Sequence, residues 1–440
     1  MSEHYPMPAP QDERFFGAHI QRTMKLLATS TPERRNPVKI MVYGQSIAKQ
    51  EWWEDLVLYL RARFPYADLT MVNRSVGGFS AERLIKSVEY DLYPFFPDLM
   101  IFHVFGNEAN YEAIIARLRS TTTCEVMLQT DHVQVASEEG AKSHEYRSNE
   151  WLPHIARKYG CELVDIRNPW KKYLQDNGLR PEELLLDGAH LNKQGVFLMA
   201  ELTRRYFKYR PGQPVQDGVI DYIVGKDIRW EKGRLLLPFE GTRVDVLPAA
   251  GEASAADVWV DGRRPSDCPG CYACTRPNDL IGLDWPWFVG SVTRIGWNTP
   301  PVAEDWTATV TSIDRTSGTF RYEVRGSVTG YDGDGSGSED FVSNSGRVTI
   351  KAADWWFMLP DGSSFLSSLK EGFQVKWKVI PMFLDRYEAV PIPDPVREYP
   401  VTLIQGLENG RHVLELTACG REVPVRAIRV YKPPFTQTGK

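Results

Sequence analysis

The sequence has no long hydrophobic run and no excess of basic residues. None of its apolar stretches reaches the ~18 residues that a membrane-spanning helix needs, so we predict no membrane span. The formal net charge of −5 offers no electrostatic basis for binding nucleic acid or an anionic membrane surface. The hydrophobic share of 42% is ordinary for a globular chain, and 440 residues suffice for two or three domains.

The N-terminus lacks the basic start and the apolar segment of a secretory signal peptide. This absence favours a cytoplasmic location. A secreted or periplasmic location stays open, because a leader could have been removed.

Cysteine is scarce, and three of the six cysteines lie close together in "CPGCYAC", at Cys268, Cys271 and Cys274. This spacing could begin a metal or cluster site, but the usual fourth ligand is missing nearby. We therefore expect a surface loop with free thiols or one disulfide, and we predict no metal and no cofactor.

The acidic stretch "YDGDGSGSED" (Tyr331–Asp340) has the alternation of a calcium loop, with Asp332 and Asp334 as candidate oxygen ligands. The twelfth position counted from Asp332 is Ser343, where a helix-loop-helix calcium site needs a glutamate. We favour a flexible hairpin tip.

Short apolar runs alternate with amphipathic segments between residues 38 and about 210. Near-continuous hydrophobicity is typical of strands buried on both faces of a parallel sheet, and the intervening segments have helical spacing. We predict a flavodoxin-like three-layer α/β domain over residues 1–215, with about five parallel strands and an extra helix around His19–Thr29. The predicted strands are Val38–Gly44, Leu69–Asn73, Leu99–Gly106, Glu125–Thr130 and Cys161–Ile166.

After residue 215 the pattern changes to alternating strands separated by turn-forming "DG", "NG" and "SG" pairs. We predict an all-β sandwich made of 216–265 and 399–440, with a β-rich subdomain inserted at 266–398. This region is rich in tryptophan, notably Trp285, Trp287, Trp355 and Trp356. Such side chains either pack in the core or stack on sugar rings.

Polar residues and tight turns follow the predicted parallel strands. Ligands of an open α/β sheet bind at the carboxyl ends of its strands, so these residues should meet at one edge. Each of them alone is readily explained as a helix cap or a turn. The residues expected at this edge are Ser46 after the first strand, Gly77 and Gly78 after the second, Asn107 after the third, Asp131 and His132 after the fourth, and Asp187 and His190 before the last helix.

The order of these residues resembles the SGNH, or GDSL-type, serine hydrolase superfamily over roughly 37–210. The first block reads Gly44-Gln45-Ser46, the second "NRSVGGFS", and the last Asp187-Gly188-Ala189-His190 followed by "LNKQG". The resemblance implies that Ser46 is the nucleophile, His190 its base and Asp187 the residue that orients the base. It also implies an oxyanion hole made by the backbone N–H groups of Ser46 and Gly78 and by an asparagine side chain.

Two blocks depart from the family pattern. Gln45 replaces an aspartate that is not itself catalytic. The third block reads Gly106-Asn107-Glu108, so that a strict alignment puts Glu108 where the oxyanion asparagine belongs. Either Asn107 fills that role, or Asn110 does, or the role is vacant, and we favour Asn107. As possible substrate contacts we name Gln45, Glu108, Asp131 and His132.

A serine hydroxyl needs an adjacent base to act as a nucleophile, and Asp187 is close enough in sequence to His190 to orient it. We therefore predict a serine esterase that hydrolyses small acyl groups, acetyl in particular, from an acylated small molecule, oligosaccharide or polysaccharide. One alternative is a lipid, aryl or thioester hydrolase or an acyltransferase on the same site. Another is a non-catalytic carbohydrate-binding protein with an SGNH-like shell. An oligomer is possible.

Overall fold

The computed structural model describes residues 5–215, 218–278, 291–356 and 369–436. Trp285 and Trp287 lie outside the described residues, as does the side chain of Trp356. The chain forms two compact units. The first consists of 1–84, 96–218 and 394–398, and the second of 85–95, 219–393 and 399–440.

A parallel sheet forms the centre of the first unit. Its strand order is β2-β1-β3-β4-β5, the flavodoxin-like order, and every neighbouring pair is parallel. The predicted α/β class and all five predicted strands are confirmed. The strands are Pro37–Gly44 (β1), Asp68–Asn73 (β2), Leu99–His103 (β3), Glu125–Gln129 (β4) and Glu162–Val164 (β5).

Helices follow the strands, as the amphipathic spacing predicts, and the helix expected around His19–Thr29 is α1. A π-helical turn, Arg147–Trp151, joins α6 to α7, and a 3-10 turn spans Pro181–Leu184. The helices of the described chain are Gln21–Ala28 (α1), Ser46–Lys49 (α2), Trp52–Arg63 (α3), Ala81–Phe95 (α4), Glu108–Thr121 (α5), Glu138–Tyr146 (α6), Leu152–Tyr159 (α7), Arg167–Asn177 (α8) and Lys193–Arg204 (α9).

Burial of one face explains where these helices pack. In α3 the buried stripe is Trp52, Leu56 and Leu60, at the four-residue spacing of one helix face. These side chains join a core that contains β1 residues such as Ile40 and Val42. Burying a large apolar side chain contributes about 1.5–3 kcal/mol, so this stripe fixes α3 firmly against the sheet. The short helix α2, which begins at Ser46, is thereby held at the end of β1.

The second unit is built from antiparallel strands, consistent with the predicted β-rich region. One sheet has the order β19-β9-β20-β8-β21-β6, with β7 beside β8, and a second has the order β10-β18-β12-β13-β14. Two strand pairs, β11-β17 and β15-β16, are separate. The strands are Val219–Ile223 (β6), Trp230–Glu231 (β7), Arg234–Pro248 (β8), Ala255–Val260 (β9), Tyr272–Cys274 (β10), Ser291–Val292 (β11), Asp305–Asp314 (β12), Thr319–Gly326 (β13), Gly330–Ser336 (β14), Phe341–Val342 (β15), Thr349–Ile350 (β16), Trp355–Trp356 (β17), Gln374–Pro381 (β18), Arg386–Glu388 (β19), Val401–Ala418 (β20) and Val425–Tyr431 (β21).

The division of the second unit into a discontinuous sandwich and an inserted subdomain stays a proposal. The larger sheet draws its strands from both predicted parts of the sandwich, and β19, within the predicted insertion, pairs with β9. Residues 394–398 belong to the first unit, where the Arg35 N–H donates to the Val396 carbonyl at 2.7 Å.

Two expectations for the second unit need correction, and one alternative is narrowed. Residues 330–336 form strand β14 rather than a hairpin tip, and Asp332 accepts hydrogen bonds from the backbone and hydroxyl of Ser345. Cys271 and Cys274 are buried free thiols rather than part of a surface loop, and their burial raises the thiol pKa. The ring of Trp355 is partly buried and packs edge-to-face on core aromatic rings, with 4.8 Å between its centroid and that of Tyr322, which favours core packing over sugar stacking for this residue.

None of the helices in the described part of the chain has the length and hydrophobicity of a membrane span.

Candidate active site

Ser46 stands at the carboxyl end of β1 because of a glycine that precedes it. Gly44 has φ +152°, and a Cβ there would lie 1.8 Å from the carbonyl oxygen of His103 on the neighbouring strand. The close approach lets the chain turn out of the sheet, with the Gln45 N–H donating to that same carbonyl at 3.3 Å. Ser46 then begins α2 and is half-buried at the strand end. A side chain at the first helical position projects from the sheet edge and not into the core.

The loop from Asp187 to His190 is organised by the carboxylate of Asp187. One oxygen, Oδ1, accepts hydrogen bonds from the backbone N–H groups of Ala189 and His190, both at 2.8 Å. The other, Oδ2, accepts from His190 Nδ1 at 2.8 Å. The backbone donors of His190 and Ala189, followed by the imidazole, lower the pKa of Asp187 to about 2. A carboxylate that is ionised at neutral pH thus fixes both the loop backbone and the imidazole ring.

His190 reaches Ser46 across 144 residues of sequence. Its Nε2 lies 2.9 Å from Ser46 Oγ. Because the Asp187 carboxylate can only accept, Nδ1 carries the proton and Nε2 is left as the acceptor for the serine hydroxyl. The side chains of His190 and Asp187 are 40% and 59% exposed, so solvent and solutes have access to the group. The structure brings the three predicted residues into one hydrogen-bonded chain.

Gln50 joins the helix that begins at Ser46 to the loop that carries His190. Its Oε1 accepts from the Leu191 N–H at 2.9 Å, and its Nε2 donates to the Leu191 carbonyl at 2.8 Å. Gln50 follows α2 directly, and Leu191 follows His190. The carboxamide therefore acts as a two-point clamp between the residues that carry the hydroxyl and the imidazole. Beyond the clamp, the side chain of Asn192 caps helix α9.

The second block is tied to the first by Asn73. Its Oδ1 accepts from the Ser75 N–H at 2.9 Å, and its Nδ2 donates to the Ala48 carbonyl in α2 at 2.8 Å. The Val76 N–H donates to the Gly44 carbonyl at 2.9 Å. Gly78 is exposed, with a φ of +68° that a glycine adopts without strain. Its predicted part in an oxyanion hole stays a prediction.

The third block forms the start of α5. Asn107 caps the helix, since its Oδ1 accepts from the Asn110 N–H at 3.1 Å and from Asn110 Nδ2 at 3.3 Å. The Asn107 N–H in turn donates to Glu82 Oε1 at 3.0 Å. The cap occupies the amide oxygen and leaves the exposed Asn107 side chain at the strand end. Glu108 is the first residue of α5, so neither residue's predicted role is decided by these contacts.

The first unit is similar to solved esterase and hydrolase structures. An acetylxylan esterase from Geobacillus stearothermophilus is 15% identical, with a TM-score of 0.36, and the match covers 41% of this chain and 98% of that one. An α/β hydrolase enzyme from the metagenome of Lake Arreo, Spain, is 20% identical, with a TM-score of 0.34, over 39% of this chain and 94% of that one. No protein-family model and no curated protein matches the sequence.

Asp131 and His132 are inside the protein, and the substrate contact predicted for them needs correction. Both are 0% exposed, and Gln45 is also buried. Asp131 Oδ2 lies 2.7 Å from His144 Nδ1, and its Oδ1 lies 3.2 Å from His103 Nε2. Burial alone would raise the pKa of Asp131, but these two histidines lower it below its ordinary value. The segment that follows β4 covers the strand end, which the apolar pattern of β4 does not reveal.

Sequence reasoning missed the residues that connect the elements of the candidate site, among which Gln50 and Asn73 hold helix α2 and Glu82 holds Asn107. Gln50, Asn73 and Glu82 act through hydrogen bonds from their side chains to backbone groups, and such contacts leave no periodic signal. Only the position of Gln50, one helical turn after Ser46, is a usable hint. Among the described residues, no cluster of three or more histidine, cysteine or acidic side chains is arranged to hold a metal ion.

Proposed function

We propose that this protein is an SGNH-type serine esterase that hydrolyses small acyl esters, in particular acetyl esters of carbohydrates. The observation that carries the proposal is the continuous chain from Ser46 Oγ to His190 Nε2 at 2.9 Å and from His190 Nδ1 to Asp187 Oδ2 at 2.8 Å. A hydroxyl, an imidazole and a carboxylate in that order are the elements of acyl transfer through a serine.

In the first step, Ser46 Oγ attacks the ester carbonyl while its proton passes to His190 Nε2. The imidazolium that forms is stabilised by Asp187, whose lowered pKa keeps it ionised. His190 then returns the proton to the departing alkoxide, and the alcohol leaves an acyl-Ser46 ester. In the second step, His190 takes a proton from water as the water oxygen attacks the acyl carbonyl. The bond between the acyl carbon and Ser46 Oγ then breaks, His190 returns the proton to Oγ, and the carboxylic acid leaves.

Negative charge gathers on the carbonyl oxygen in both steps. The backbone N–H of Ser46 is at the first helical position, where no intrahelical acceptor exists, and we assign it to the oxyanion hole with the N–H of Gly78. The amide of Asn107 is the proposed third donor. One such donor is typically worth ~10²–10³ in rate.

The exposure of the site favours a hydrated alcohol over a lipid. The side chains of His190 and Asp187 are 40% and 59% exposed to solvent. A carbohydrate ester can stay hydrated at such a site, whereas a lipid chain would need an apolar surface to bury it. The SGNH resemblance with an attached β-rich region implies the same substrate class. Because the ring of Trp355 packs edge-on against the core rings of Phe320 and Tyr322, aromatic stacking by that residue plays no part in this assignment.

Release of nitrophenol from nitrophenyl acetate tests the proposal. Ser46→Ala and His190→Ala should each lower kcat by about 10⁴-fold or more, since members of a triad act as a unit. Ser143→Ala on α6 and His154→Ala on α7 are matched controls, because both side chains are exposed away from the triad contacts. Turnover by Ser46→Ala at the wild-type rate would refute the assignment.

A serine-directed fluorophosphonate separates the enzyme from a binding protein with an SGNH-like shell. The wild-type chain should be labelled on the peptide that contains Ser46, and Ser46→Ala should not be labelled. Acetate release from acetylated xylan, xyloglucan, pectin and monosaccharide esters, compared with release from aryl, lipid and thioesters, then defines the substrate class. Preference for long-chain lipid esters would contradict the carbohydrate assignment while leaving the serine mechanism intact.

A further inference from the structure

A buried histidine, separate from the triad, contacts the loop that carries it. His132 is 0% exposed, and its Nε2 lies 2.8 Å from the carbonyl oxygen of Ala189. The ring packs against Trp170, with 5.4 Å between the ring centroids. The backbone carbonyl of His132 accepts a hydrogen bond from Arg167 Nη1 at 3.1 Å. Both the ring and the backbone of His132 are therefore held in place.

The contact fixes the protonation state of His132. A carbonyl oxygen can only accept, so Nε2 carries the proton. Nδ1 is buried without a hydrogen-bond partner in the described structure and is the unprotonated nitrogen. Burial, with the nearby His103, lowers the pKa of His132 to about 3. At neutral pH the ring is thus an uncharged hydrogen-bond donor.

The loop depends on such contacts because its own side chains bury little surface. Residues 186–188 are exposed, and Leu186 is 72% exposed. Two successive carbonyls of the loop accept from the segment after β4, Ala189 from His132 and Gly188 from the Val135 N–H at 3.0 Å. These carbonyls lie between Asp187 and His190. A shift at Ala189 would therefore move both residues relative to Ser46.

We propose that His132 is a positioning residue, which sets the distance from His190 to Ser46 by holding the Ala189 carbonyl. This proposal rests on the proposed function, because the distance from His190 to Ser46 affects catalysis only if these two side chains carry out the reaction. The required property is a neutral donor at the position of Nε2. A carboxylate there would repel the carbonyl, and an aromatic ring without nitrogen would fill the space but leave the carbonyl unpaired.

Donor-less and donor-retaining variants separate this role from packing. His132→Phe and His132→Met remove the donor while keeping a large apolar side chain, and His132→Gln keeps an N–H near the original position. In hydrolysis of nitrophenyl acetate, we expect kcat to fall roughly tenfold to a hundredfold in the donor-less variants, because small misplacements of reacting groups are costly. KM should stay within about twofold, and His132→Gln should recover most of kcat. His154→Phe, on exposed α7, is the matched control.

Hydrogen–deuterium exchange of the peptide 186–191 gives a second readout that needs no turnover. The backbone N–H groups of Ala189, His190 and Leu191 are hydrogen-bonded and should exchange faster in the donor-less variants, with protection regained in His132→Gln. Wild-type kcat and unchanged exchange in folded His132→Phe or His132→Met would overturn the proposal, as would His132→Gln behaving like them. If the wild type hydrolyses no ester, the proposed function fails, and the exchange measurement alone decides whether His132 holds the loop.

Discussion

The clamp made by Gln50 is the contact whose removal has the most calculable effect. Gln50→Ala deletes two neutral hydrogen bonds to the Leu191 backbone, each worth about 0.5–1.5 kcal/mol net. The expected loss of unfolding free energy is therefore about 1–3 kcal/mol. For a cooperative unit of this size, a loss of about 2 kcal/mol lowers the melting temperature by roughly 4–8 °C. Gln175→Ala is the matched control, since Gln175 is exposed on α8.

Catalysis should suffer more than stability in Gln50→Ala. Ser46 lies four residues before Gln50 and His190 lies directly before Leu191, so the clamp joins the two reacting side chains. Without the clamp, helix α2 and the loop that carries His190 can move relative to each other while both stay folded. We expect kcat for nitrophenyl acetate to fall roughly tenfold to a hundredfold with little change in KM. The proton transfer itself remains possible, so the variant should stay measurably active, unlike Ser46→Ala.

Gln50→Glu tests the polarity of the clamp with almost no change in shape. One carboxylate oxygen can still accept from the Leu191 N–H, but the other then faces the Leu191 carbonyl, which is also an acceptor. Protonation at low pH restores a donor. The melting temperature of Gln50→Glu should therefore approach that of the wild type as the pH falls from about 8 to about 4.5. A wild-type kcat and melting temperature in Gln50→Ala would refute the reasoning.

Two further predictions concern Gly44, at the end of β1, and the carboxylate of Asp187. Gly44→Ala should cost several kcal/mol of unfolding free energy in urea titration, because its Cβ would meet the His103 carbonyl oxygen at 1.8 Å. Gly178→Ala, with a φ of +63° and no atom within 4 Å of its Cβ, should cost only about 1 kcal/mol, and equal losses would contradict the steric argument. The lowered pKa of Asp187 predicts that its hydrogen bonds are complete above its ordinary value of 3.8 and lost as the pH falls through about 2. The difference in melting temperature between Asp187→Asn and the wild type should thus persist down to about pH 4 and shrink as the pH falls from there towards 2, and a difference that vanishes above about pH 5 would exclude the assignment.

The sheet of the first unit could be predicted because its signal is local and redundant. Each strand is a short apolar run, and the order of the runs with helices between them leaves few topologies. The residues at the strand ends follow from the same reasoning, since parallel strands bring their carboxyl ends to one edge. Ser46, Asp187 and His190 are therefore among the candidates at that edge, and the SGNH resemblance singles them out as partners although 144 residues separate the first from the last.

Burial at that edge could not be predicted in the same way. Asp131 follows an apolar strand directly, and sequence alone does not tell whether the next segment folds over it or away from it. Of the histidines that pair with Asp131, His103 comes from β3, 28 residues earlier, and His144 from α6, 13 residues later, and no periodic signal in the sequence marks either contact. A similar limit applies to Trp355, where an aromatic pair can equally signal a core or a binding surface.

The triad divides into a local part and a long-range part, and each is held by different residues. Asp187 binds the backbone of Ala189 and His190 as well as the imidazole, so four consecutive residues align base and carboxylate without help from the rest of the fold. What the four residues cannot set is their distance from Ser46. Gln50 fixes that distance from the side of Ser46 through Leu191, and the segment after β4 fixes it from the opposite side through Gly188 and Ala189.

This division predicts two classes of variant. Substitutions in the local part, Asp187 to His190, should change how proton transfer depends on pH. Substitutions of Gln50 or His132 should instead lower kcat at every pH, so that the pH–rate profiles of the two classes distinguish an altered base from a displaced one.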